Sequence, residues 1–236
     1  MRKLLTSQIR ILPLAGFAAL LGVLMLLASS GQGRVGATVY TVLFLNSQPE
    51  VWVLSFLSAT PLMVLAVVTA GSFTEDLRIS ELFVIPRIRS VLRWYAVRQA
   101  SLLIQVTVYI AVYLTAIYGG YALIYKHSPL ETPYLVPSTL LFALFCYVSV
   151  LTVNVLALKI SPKWAVVGFV AALAVGIVTV VPEPQAFFIW VNPAYHFFRN
   201  WRIASDASSV ICAAVLICAS IILGAHFITK KQIRGV

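Results

Sequence analysis

Long apolar runs of about twenty residues recur along this chain, and the charged residues are confined to the stretches between them. No Asp, Glu, Lys or Arg stands at the centre of any run. Wound as a helix rising about 1.5 Å per residue, such a run covers the roughly 30 Å of a bilayer's hydrocarbon core. It also satisfies its own backbone hydrogen bonds there, where no water can. Hydrophobic residues fill 61% of the 236 positions and charged ones 10%, with a mean hydropathy of +0.98. A soluble domain of this length has no way to hide so much apolar surface. The expected fold class is an all-α, polytopic membrane protein forming a single transmembrane domain over residues 1–236.

In chain order, residues 1–10 form a short amphipathic segment, with Leu4, Leu5 and Ile9 set against Arg2, Lys3 and Arg10, and are expected as an interfacial helix. Six spans follow, at 11–29, 51–70, 100–125, 137–158, 164–181 and 209–229. The first resembles a secretory leader in its preceding bases and in the small residues Ala28, Ser29, Ser30 and Gly31 behind it. Its apolar run is longer than a leader's and more spans follow, so it reads as a retained anchor. Residues 35–45 are apolar but too short to cross alone, and either lie in the outer interface or extend a neighbouring span. Pro61 is expected to kink the second span, with a neighbouring helix satisfying the freed carbonyl. The third carries Gln105 and five tyrosines, those near its end placed for an aromatic belt. Residues 126–137 read as a polar connection with three prolines, and Lys159, Pro162 and Lys163 as a tight hairpin. In the fifth span, small residues around Gly168 and Gly176 allow close helix packing without forming a GxxxG pair. Residues 182–208 form a long connection rich in aromatics.

With six spans, both termini fall on one side. The segments on that side hold thirteen Lys and Arg, against four in the three opposite loops. Basic loops stay in the cytoplasm, so both termini and the connection 72–99 are expected there. The same distribution explains the net charge of +10 without nucleic acid, because the bases mark the ends of spans and form no basic face. Cys146, Cys212 and Cys218 all lie inside apolar runs, without metal-ligand spacing, and read as small core residues.

The connection 72–99 is the one long segment both strongly charged and periodically apolar. It carries Glu75, Asp76 and Glu81 together with Arg78, Arg87, Arg89, Arg93 and Arg98. Ser72 and Glu75 have the spacing of a capping box, so a helix is expected to start here. Pro86 ends or kinks it. Beyond, Ile88, Val91, Leu92 and Tyr95 recur at helical spacing, as in an amphipathic helix on a membrane surface. By periodicity the segment is either a solvated loop with lipid-anchoring arginines or a docking platform for a partner.

The chemistry that is missing narrows function. The chain contains no GxxxxGK[ST], HExxH or GxSxG, and its three histidines lie in separate segments without acid partners. It is therefore expected to catalyse nothing by itself and to bind no metal or cofactor. Ion-coupled carriers place ionisable groups within their spans, and none stands centrally here. The buried polar candidates are the amides of Gln105 and Asn154, which either bridge helices or face a pathway.

In its order of parts the chain resembles the membrane subunits of ABC-2 type transporters. In that family an interfacial helix precedes six spans, and the long cytoplasmic connection between the second and third carries acids, a Ser/Thr- and leucine-containing turn, proline and then bases. Here these stand as Glu75, Asp76, Ser80, Glu81, Leu82, Pro86, Arg87 and Arg89, with Ile79-Ser80 where the family often has Gly-Thr. The family commonly re-enters the outer leaflet between spans five and six around an Asn-Pro turn. This chain reads FFIWVNPAYHFFRNWR from 187 to 202, placing Trp190, Asn192, Pro193 and Tyr195 at such a turn. An ordinary aromatic interface anchor accounts for the same residues.

The resemblance implies a permease in a bacterial plasma membrane, paired with an identical or related second permease subunit. A separate ABC ATPase would bind ATP and Mg and engage 72–99 as a coupling helix. Gln105 and Asn154 become pathway candidates, and an amphipathic or hydrophobic substrate (a peptide, lipid-like molecule or drug) the expected cargo. The alternatives are a non-transporting anchor or sensor for a cytoplasmic partner, and a stand-alone carrier or channel.

Overall fold

The computed structural model describes residues 13–24, 52–72, 74–75, 91–124, 132–180 and 207–234. Among them stand six helices of ten residues or more: α1 (Pro13–Leu24), α2 (Trp52–Thr69), α3 (Val91–Ile124), α4 (Thr132–Lys159), α5 (Pro162–Val180) and α6 (Ala207–Arg234). Three contain stretches long and apolar enough to cross a membrane, Leu92–Gly120, Thr139–Lys159 and Ser209–Lys230. The chain is thus all-helical and built for a bilayer. The expected interfacial segment 1–10, residues 35–45 and the connection 182–208 up to residue 206 lie outside the described residues, and Ala207 and Ser208 already belong to α6.

Local chemistry sets the helix ends. α2 stops at Gly71, whose φ of +78° is the left-handed conformation that closes a helix without the steric cost a Cβ would bring. In its last turn the Thr69 hydroxyl donates to the Leu65 carbonyl at 2.7 Å, occupying an acceptor at a helix end. α4 and α5 join through Ile160 and Ser161. The Ile160 amide closes the last turn of α4 on Leu156, and the Ala165 amide bonds the Ser161 carbonyl to open α5. Ser161 at the cap followed by Pro162 is a strong start, because proline gives up only an amide that had no helical partner.

Two boundaries differ from the sequence expectation. α3 begins at Val91, so the residues expected on an interfacial platform up to Gln99 are instead the first turns of the third apolar helix. No Pro or Gly interrupts 91–100, and Trp94, Tyr95 and Gln99 are buried within the bundle instead of lying on a membrane surface. α4 begins at Thr132, inside the expected polar connection. Pro133 stands in its first turn, where a missing amide is tolerated.

α4 is the hub of the bundle and packs against α2, α3, α5 and α6. It runs antiparallel to α3: Gln99 meets Tyr147, Tyr113 meets Phe142 and Tyr118 meets Thr139. At the centre of the core, Tyr113 stacks on Phe142 at 5.5 Å and on Tyr109 at 6.3 Å. Offset aromatic stacks of this kind add about 0.5–1.5 kcal/mol beyond area burial. That matters in a bilayer, where lipid tails are as apolar as a neighbouring helix and association depends on close packing and polar bonds. α1 packs on α3 through Gly22, where a Cβ would stand 2.7 Å from the Ala116 Cβ and 2.9 Å from the Tyr113 carbonyl.

The small-residue packing expected around Gly168 does not occur there, since a Cβ at Gly168 meets nothing within 4 Å. The close crossing lies nearer the hairpin, where Ala66 of α2, Val153 and Ala157 of α4 and Ala165 of α5 form a buried cluster. Of the three cysteines, Cys146 is a core residue, while Cys218 is exposed among the outward apolar side chains of α6 and is not.

Candidate functional site

The most constrained polar place in the bundle is the corner where the chain leaves α2. Beyond Gly71, the Ser72 hydroxyl turns inward and donates to Asn154 Oδ1 of α4 at 3.0 Å, with both residues buried. Asn154 in turn donates from Nδ2 to the Val150 carbonyl one turn back at 2.9 Å. The amide is thereby fixed at both ends. This is where the Ser72–Glu75 capping box is expected. Ser72 gives its proton to Asn154, and the Glu75 amide bonds the Gly71 carbonyl at 2.9 Å. Thr74 donates to the same carbonyl at 2.8 Å. The bond from Ser72 satisfies a buried amide oxygen, a group that is costly to leave without a partner.

The corner also leans on the α4–α5 hairpin. A Cβ on Gly71 would approach Pro162 Cγ to 2.9 Å, so the glycine is required for the approach as well as for its backbone. The start of the 72–99 connection is therefore locked to α4 by a hydrogen bond and to α5 by van der Waals contact.

The far end of that connection returns to the same end of the bundle. Tyr95 packs against Gly224 of α6 beside Val155 of α4, and Lys159 lies 5.9 Å from the Phe227 ring. Arg98 sits 5.8 Å from the Trp94 ring. Every Lys, Arg and Glu whose side chain is described (Glu75, Arg93, Arg98, Lys159, Lys163 and Lys230) lies at this end.

A polar seam continues from this end along α3 and α4. Tyr147 donates to Gln99 Oε1 at 3.1 Å, while the buried Gln99 Nε2 finds no partner among the described residues. Further along, the Tyr109 hydroxyl donates to the Pro61 carbonyl of α2 at 3.0 Å. A neighbouring helix does supply a bond at this proline, although on Pro61's own carbonyl, one turn beyond the one its ring frees. Tyr118 and Thr139 share a bond of 3.1 Å.

The two amides singled out from the sequence are not brought together. Asn154 is level with Tyr95, whereas Gln105 is half-buried ten residues along α3, about 15 Å of helix away. Asn154 is fully buried and ties the corner after α2 to α4. Of the expected coupling residues, Glu75 is described and exposed; Asp76, Ser80, Glu81, Leu82, Pro86, Arg87 and Arg89 lie outside the described residues, as do Trp190, Asn192, Pro193 and Tyr195.

Sequence reasoning missed Gly71, Ser72 as a partner of Asn154, and the Tyr147–Gln99 bond. Gly71 was the most accessible, since a glycine directly after an apolar run is a helix stop signal. Among the described residues no group of three His, Cys, Asp or Glu side chains could hold a metal ion. No family model, curated protein or solved structure matches this chain.

Proposed function

We propose that the chain is the permease subunit of an ATP-driven exporter of the ABC-2 type, in a bacterial plasma membrane. On this reading it crosses the membrane six times, through α1 to α6 with the residues flanking the shorter helices. Residues 1–10 form an interfacial helix, and the 187–202 aromatic stretch re-enters the outer leaflet. The charged end and both termini face the cytoplasm. Two copies, or one copy and a related subunit, frame the pathway, and a separate ATPase holds ATP and Mg.

One observation carries the reading. The charged connection 72–99 leaves and rejoins the bundle at the end where every described Lys, Arg and Glu side chain lies, and its first residue is bonded to the central helix. A loop that only anchored the protein to lipid headgroups has no use for a buried bond at its root. A lever has, because force applied at 75–89 reaches the bundle only through a stiff joint. ATP-driven closure of the partner then biases a two-state bundle through differential contact with that lever. The Ser72–Asn154 bond and the Gly71–Pro162 contact direct the motion into α4 and α5, and α3, continuous from Val91, carries it from the other end.

The apolar interior and the lack of charge at mid-span suit an amphipathic or hydrophobic cargo. The test is purification of the tagged chain in mild detergent with a photoreactive cross-linker on Ser80→Cys. Recovery of an ABC ATPase joined at that position, with ATP hydrolysis stimulated by reconstitution, supports the proposal. A folded, abundant preparation that cross-links no ATPase overturns it and leaves the anchor or carrier readings. Transport without any ATPase then selects the carrier.

A further inference from the structure

The end of α4 carries more positive charge than the transport reading uses. Lys159 closes α4, Lys163 stands in the first turn of α5, and Lys230 lies one turn beyond Phe227 on α6. All three are exposed. The Lys159 ammonium is held 5.9 Å from the Phe227 ring, which ties the end of α4 to the α6 side of the cluster. The α6 backbone continues as helix through Lys231 and Arg234.

Charge balance leaves these lysines in surplus. The segments that begin or end here, 72–99, 159–163 and 230–234, hold ten Lys and Arg against three acids. Beside the lysines the surface is apolar: Ile160 is 44% exposed and Trp164 68%. A tryptophan left so open at the mouth of an apolar helix is in the position these rings take at the level of lipid headgroups.

We propose that Lys159, Lys163 and Lys230 form a binding site for the phosphate headgroup of an anionic phospholipid, with Ile160 and Trp164 against its glycerol and upper acyl chains. Basic pockets between membrane helices recognise such headgroups, and each base close to an anionic surface tightens binding about fivefold. The apolar shoulder commits the site to a lipid instead of a free anion, because inorganic phosphate gains nothing from Ile160 or Trp164. The site requires that the chain reside in a membrane and does not depend on what it transports. Occupied, it would bridge α4, α5 and α6 at the end where the 72–99 connection is rooted.

The experiment titrates the full chain, purified in a neutral detergent at low ionic strength, with phosphatidylglycerol or phosphatidylcholine, and counts retained lipid by native mass spectrometry. The expected result is preferential retention of phosphatidylglycerol, weakened roughly a hundredfold in K159Q/K163Q/K230Q and kept when all three are arginine. A control removing three bases elsewhere, R34Q/K126Q/R199Q, should behave as the parent. Should the glutamine triple lose monodispersity, K230E alone carries the test and should lower retention more than about tenfold. Equal retention of the two lipids, an equal fall in the control, or displacement of phosphatidylglycerol by millimolar inorganic phosphate would each overturn the proposal.

Discussion

Ser72 and Asn154 are 82 residues apart in sequence and share a buried hydrogen bond of 3.0 Å, which roots the connection after α2 in the helix at the centre of the bundle. Within membranes such side-chain bonds average about 0.6 kcal/mol and reach about 1.7. A double-mutant cycle of Ser72→Ala and Asn154→Ala should return a coupling near the upper part of that range, about 1 kcal/mol, because Asn154 has a second bond holding it in place. Unfolding in mixed bicelles measures it, and a coupling indistinguishable from zero would remove the stiff joint.

Gly71 is constrained twice, by its φ of +78° and by Pro162. Gly71→Ala should destabilise by more than the roughly 1–2 kcal/mol of a left-handed non-glycine residue. Pro162→Ala in the same chain should recover part of that loss by removing the 2.9 Å approach to Cγ, while the 3.1 Å approach to Cβ and the backbone share remain. If the two changes are simply additive, the Gly71–Pro162 contact is not what limits position 71.

Two glycines of α1 should respond in opposite directions. At Gly22 an added methyl meets the Ala116 Cβ and the Tyr113 carbonyl, so Gly22→Ala should cost about 1–3 kcal/mol as overpacking. At Gly16 it meets nothing within 4 Å, and Gly16→Ala should be neutral or stabilising by up to about 1 kcal/mol, the helix preference of alanine over glycine. Thermal denaturation of the two variants side by side decides whether α1 docks on α3 through Gly22.

The two stacked tyrosines of α3 should also separate. Tyr109→Phe removes a bond to the Pro61 carbonyl and should cost about 1 kcal/mol. Tyr113→Phe removes a buried hydroxyl with no partner among the described residues and keeps the ring on Phe142, so it should be neutral or slightly stabilising. Equal losses would mean that the bond to the Pro61 carbonyl contributes nothing of its own.

On the transport reading, charge reversal at Glu81 or Arg89 acts at the partner and not in the bundle. Glu81→Lys and Arg89→Glu should insert and fold as the parent does, while ATPase recovery on affinity beads falls more than about tenfold, as expected for a disrupted interfacial charge pair. Unchanged recovery and unchanged ATP hydrolysis in both variants would argue against the connection as a coupling element.

The class of this protein was legible in its sequence because the properties that define it are one-dimensional. A span is a matter of length and composition, so the apolar helices and the absence of strands from the expectation followed from counting. The placement of the described Lys and Arg near helix ends followed in the same way, because a base cannot stay inside a span and must mark its edge. Signals at helix ends were legible where proline forced them, as at Pro162 in the hairpin between α4 and α5. They said nothing of long-range partners: Ser72 had the right neighbour for a cap, and no local signal marked its bond to Asn154.

What only the tertiary structure decided was which side of each helix faces a neighbour. In water the polar face of a helix announces its exposure, but a span is apolar on all sides and periodicity cannot separate a lipid-facing valine from a packed one. That α4 is the hub, that Gly22 and Gly224 but not Gly168 are close-contact glycines, that Tyr109 reaches Pro61, and that Asn154 ties the corner after α2 to α4 apart from Gln105 all depend on rotations about helix axes. Those rotations are fixed by contacts between residues tens of positions apart, where close packing and a few buried hydrogen bonds replace the hydrophobic effect as the force that selects them.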